Sequence, residues 1–64
     1  MTQGEIHAEY RRRIAAAEEA ADRRAADPRW SAAEVREVRD RHVRAARTWR
    51  DVATRKAAVA DAGH

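Results

Sequence analysis

The chain has 64 residues and a formal charge of +3, from 14 basic residues, all but one of them Arg, against 11 acids. Its hydrophobic fraction is 44%, but 17 of those 28 residues are Ala, and Leu, Phe and Cys are absent. The 11 larger apolar residues are five Val, two Ile, two Trp, Tyr10 and Met1. They are too few for a self-sufficient core or for the walled pocket most enzymes need, so one small non-enzymatic domain over residues 1–64 is expected, with no cofactor.

Other classes fall on the same grounds. No run of about 18 apolar residues exists, so no membrane span is expected. The start, Met1-Thr2-Gln3-Gly4-Glu5, lacks a basic stretch followed by an apolar one, so no signal peptide is expected. The absence of Cys fits the cytoplasm, or a virion if the chain is phage-encoded. Opposite charges are nearly balanced and the apolar residues are periodic, which argues against disorder.

The first predicted element is a helix over about residues 3–26. Thr2 and, three residues later, Glu5 have the spacing of a capping box, though Gly4 weakens the first turn. At 100° per residue, Ile6, Tyr10, Ile14, Ala17, Ala21 and Ala25 fall within about 100° of arc and form one narrow apolar stripe. Arg13 and Arg24 lie at its edge, where their stems can cover it.

The lone proline follows. Pro28 disfavours helical geometry at Asp27, so the helix should stop near Ala26 and a turn should occupy 27–31. Ser31 and Glu34 then make a second capping box. Trp30 before the cap and Val35 at the fourth helical position have the spacing of a hydrophobic staple. A second helix is predicted over about 32–61, ending at Gly63. Its heptad seam reads Val35, Val38, His42, Ala45, Trp49, Val52, Lys56 and Val59, broken by Lys56.

A short loop forces the helices antiparallel. The expected layers pair Ala25 with Val35, Ala21 with Val38, Ala17 with His42, Ile14 with Ala45 or Ala46, Tyr10 with Trp49, and Ile6 with Val52 or Ala53. Small faces large in most of them, as interdigitation requires. Residues past about 57 have no partner in the first helix. Five acid–Arg pairs stand four apart on the outer faces: Glu9–Arg13, Glu19–Arg23, Glu37–Arg41, Asp40–Arg44 and Asp51–Arg55. Each adds a small increment to its helix. The predicted fold is therefore an all-α antiparallel two-helix hairpin, completed into a helical bundle by self-association or by a partner.

The candidate functional residues follow from that architecture. Ile6, Tyr10, Ile14, Val38, His42, Trp49 and Val52 form the expected contact surface of a protein-interaction module. Such a module would self-associate or dock on a larger assembly, a phage virion or accessory protein among the candidates. A two-layer hairpin cannot enclose an indole, so part of Trp49 should meet another chain. The alternative is a nucleic-acid-associated hairpin that neutralises phosphates through Arg36, Arg39, Arg47 and Arg50, a side with fewer acids than its opposite. Acids interleave almost throughout, and no helix-turn-helix, zinc-finger or RNA-binding signature occurs. His42 lies on the apolar stripe, but no Glu stands three residues before it, and His7 and His64 have no partner spacing, so no metal is expected. A surface-bound membrane helix is not expected either, because Ala and Val insert poorly.

Overall fold

The computed structural model describes residues 1–62 as two helices, α1 over Gln3–Ala25 and α2 over Ala32–Ala62, packed against each other as an antiparallel hairpin. The expected end of α2 at Gly63, and His64, lie outside the described residues.

Both helix starts form as the sequence predicts. Glu5 N donates to Thr2 Oγ1 at 3.1 Å and Thr2 N to Glu5 Oε1 at 3.0 Å, closing the first capping box. That closure keeps Gly4 within the helix despite its poor propensity. Ser31 and Glu34 repeat the motif, with both hydrogen bonds at 3.1 Å. Each box satisfies a backbone donor of the first turn that would otherwise lack a partner. Removing the Ser31 hydroxyl breaks one half of the second box. Ser31→Ala should destabilise the fold by about 1 kcal/mol, read as a lowered melting midpoint.

The boxes also make the ends acid-sensitive. Hydrogen bonding from the Thr2 backbone and then its side chain holds the Glu5 carboxyl below its ordinary value. Ser31, through its side chain and then its backbone, does the same for Glu34. A carboxyl whose folded value is lowered adds stability above its unfolded value and loses it as pH falls through the folded one. The helical circular-dichroism signal should therefore hold at pH values above 4.5, the ordinary glutamate value, and decline below it. Glu34→Gln keeps an acceptor for Ser31 N and should make the decline shallower.

The turn is built on Asp27. Its Oδ1 accepts from Arg29 N at 2.9 Å, and its carboxylate takes the Arg29 guanidinium, Nη2 to Oδ2 at 2.8 Å. Those bonds, the side chain first, lower the Asp27 carboxyl. Asp27 O accepts from Trp30 N at 3.1 Å. Pro28 thus sits where no donor is required, and α1 ends one residue before the predicted Ala26, which serves as its cap.

Packing is thin. Among the described residues, Ile6, Ala17, Ala21 and Ala46 are buried, and Ile6, at 2% exposure, is the only large one. Three alanines at the contact let the backbones approach closely but remove little apolar area from water. The molecule measures 54 × 15 × 9 Å, with a radius of gyration of 15.2 Å. A compact chain of this length would have a radius of about 11 Å.

One expected layer differs from the structure. Ala17 is buried but His42 is exposed, so the imidazole does not close that layer. At the level of Tyr10 and Trp49, each ring is covered by an arginine of the opposite helix. Among the ion pairs, Glu9–Arg13, Glu19–Arg23 and Glu37–Arg41 form. Asp40–Arg44 and Asp51–Arg55 are not among those present in the described residues. Asp is one methylene shorter than Glu and reaches the next turn less well. Asp51 pairs instead with its neighbour Arg50 at 3.4 Å. Glu9 also takes Arg12 at 2.6 Å. Every ion pair of the described residues lies within one helix or within the turn, so none sets the register between α1 and α2.

Candidate interaction surface

The register is marked by two crossed contacts between aromatic rings and arginines. The Arg13 guanidinium of α1 lies 4.3 Å from the centre of the Trp49 ring on α2. The Arg50 guanidinium of α2 lies 4.5 Å from the centre of the Tyr10 ring on α1. Each helix therefore supplies one ring and one cation at the same level. A guanidinium over a π-face is attracted by the ring quadrupole and shields the ring from water with its planar surface. A third contact closes the turn, where Arg24 stands 5.2 Å from the Trp30 ring. Arg24 Nη1 is buried there without a hydrogen-bond partner, a charged donor left unsatisfied beside the ring.

These contacts give the hairpin two unlike faces. At 100° per residue, Tyr10, Arg50, Arg36, Arg39 and Arg47 turn to one side of the helix–helix seam. Arg13, Trp49, Val38, Ala45, Val52 and Val59 turn to the other. Arg36, Arg39 and Arg47 are exposed and belong to no ion pair among the described residues. Glu37 and Asp40 share a groove with Arg39 and Arg47 and dilute their field. Arg50 differs from the other three: it is half-buried, held on Tyr10 and hydrogen-bonded to Asp51.

The tryptophan side carries most of the exposed large apolar residues, rimmed by Glu5, Arg13, Lys56 and Asp61, and is incompletely covered. Trp49 and Val38 are half-buried there, as are Tyr10 and Ile14 on the arginine side, whereas Ile6 is consumed inside the hairpin. Val52 is 41% exposed, Val59 72% and Met1 67%. All three stand at the open end of the hairpin. There an open groove of about 620 Å³ runs along Trp49, Val52, Ala53 and Ala57 to Met1. With Arg13 opposite Trp49 and Tyr10 opposite Arg50, the start of α1 stands opposite residues 57–59, and Met1 and Thr2 line the same groove as Ala60 and Asp61. At the other end Trp30 and Val35 line a second open groove with Ala21 and Ala25, as a hydrophobic staple at the turn would place them.

Sequence reasoning places Arg13 and Arg24 at the stripe's edge but not their guanidinium groups on the rings, and it offers Arg50 only within the alternative phosphate-binding face. The available signal was an arginine at the edge of one stripe, one layer from an aromatic residue on the other. Among the described residues, no group of three or more His, Cys, Asp or Glu is placed to hold a metal ion, and no helix is long and apolar enough to cross a membrane. In comparisons with known proteins, the chain matches no family model, no curated protein and no solved structure.

Proposed function

We propose that this hairpin is a non-enzymatic protein-interaction module, a small helical subunit whose tryptophan side is completed by another protein surface. The observation that carries this reading is unburied area. The chain exposes 5000 Å², whereas a globular chain of its mass exposes about 4,200 Å². The excess lies on a molecule whose described residues include one large buried apolar side chain, Ile6, and three large exposed ones, Met1, Val52 and Val59. Hydrophobic contact with another chain removes such area from water and stabilises the fold by mass action. Sedimentation equilibrium of the purified chain tests the reading. An associated species, or an isolated chain that is unfolded for want of a partner, is expected. A rigid folded monomer at high dilution contradicts it.

The exposed, unpaired Arg36, Arg39 and Arg47 favour a second reading, phosphate contact with nucleic acid. Three such contacts would give a log–log salt slope of about −3 in titrations of duplex DNA or RNA. No binding at low salt eliminates this reading.

A further inference from the structure

Resting on the interaction reading, we infer that the partner is a second copy of this chain, and that α2 packs antiparallel to α2 of that copy through the tryptophan side. The seam is written in alternation. Val38, Ala45, Val52 and Val59 recur every seven residues, and His42, Trp49 and Lys56 recur every seven between them. Seven-residue rows of this kind form one continuous seam along a helix that meets another helix. Within the hairpin α1 leaves the seam largely open: Ala45, Val52 and Val59 are exposed, as are His42 and Lys56.

The distribution of side chains between the two rows selects the orientation. A parallel pair would set each row against itself, with Lys56 against Lys56, His42 against His42 and the two indoles in one layer. Like charges brought together at a contact are strongly unfavourable. An antiparallel pair sets each row against the other. Lys56, His42 and the indole then face only Val and Ala, so large meets small and Lys56 does not meet Lys56. Such a contact is its own twofold mate, because residue i meets j as j meets i.

The area fits one further copy. The hairpin carries about 800 Å² more surface than the globular expectation, and about 800 Å² per partner is what a standard interface removes. Val59, 72% exposed at the open end, would lie along the second copy's α2.

The test uses the full chain. Light scattering should give twice the 7.3 kDa mass of one chain. Replacing two exposed residues of the seam, Val52→Glu with Val59→Glu, should halve that mass, while Arg36→Glu with Arg47→Glu on the opposite side should not. Orientation is read with the seam intact. The sequence has no Cys, so Ala62→Cys carries the only spin label. Two labels in an antiparallel pair stand at least about 30 Å apart, from the rise of 1.5 Å per residue; in a parallel pair they lie much closer. A dimer indifferent to the two glutamates, closely spaced labels, or a mass other than twice that of one chain overturns the inference. An unfolded monomer overturns it but leaves the interaction reading standing with a different protein partner. A folded monomer overturns both.

Discussion

Ile6→Ala is expected to produce the largest loss of stability of any single truncation, about 2–4 kcal/mol, from lost transfer energy and the cavity left behind. In a domain this small that lowers the melting midpoint by on the order of 10–20 °C. Among the described residues, Ile6 is the only large side chain fully removed from water inside the hairpin, and it lies near the start of α1, where no neighbouring buried residue can substitute. The other buried residues are alanines, whose side chains are too small to collapse into the void. A thermal melt followed by circular dichroism checks this. Ile6→Val, one methylene smaller, should lose only about 1 kcal/mol. Equal melting of the wild type and Ile6→Ala would mean that α1 does not dock on α2 through its first two turns.

Trp49→Ala is expected to act on stability and association together. Trp49 is half-buried, so truncation loses roughly half the effect of a fully enclosed tryptophan, about 2 kcal/mol. It also leaves Arg13 without the ring it covers, although Arg13 keeps its ion pair with Glu9 at 3.1 Å. The exposed part of the indole is what another chain would meet, so the mass in solution should fall along with the melting midpoint. Trp49→Phe keeps an aromatic face for Arg13 and should fall between the two. A Trp49→Ala chain with unchanged mass and unchanged melting would remove Trp49 from both roles.

The hairpin was legible because its signals are local. Pro28 and the two capping boxes act over three or four residues, and the structure places the helix ends within one residue of where those motifs put them. The antiparallel order followed from loop length alone. Pairing across the helices was less legible because it depends on side-chain reach. His42 lies on the predicted stripe by angle, but its polar ring stays solvated while smaller Ala46 takes the buried position. Arg13 and Arg50 read as surface charges in a linear sequence. Only the juxtaposition of α1 and α2 shows that each covers a ring on the other helix. Among the acid–Arg pairs four apart, the pattern fixes which residues are neighbours but not which carboxylate is long enough to bridge them. The three that form all use Glu. In the candidate surface, Val52 is exposed and Trp49 half-buried, whereas Ile6, expected on the contact surface, is the centre of the hairpin's own packing. A periodic stripe records which residues avoid water, not whether their own chain or another one shields them.

The most direct measurement is the melting midpoint as a function of chain concentration. If two thinly packed helices depend on a second surface for their stability, the midpoint must rise as the chain is concentrated, because association stabilises the folded state by mass action. A midpoint that stays constant from the most dilute to the most concentrated sample, with full helical signal in both, would show that one copy of this hairpin stands alone.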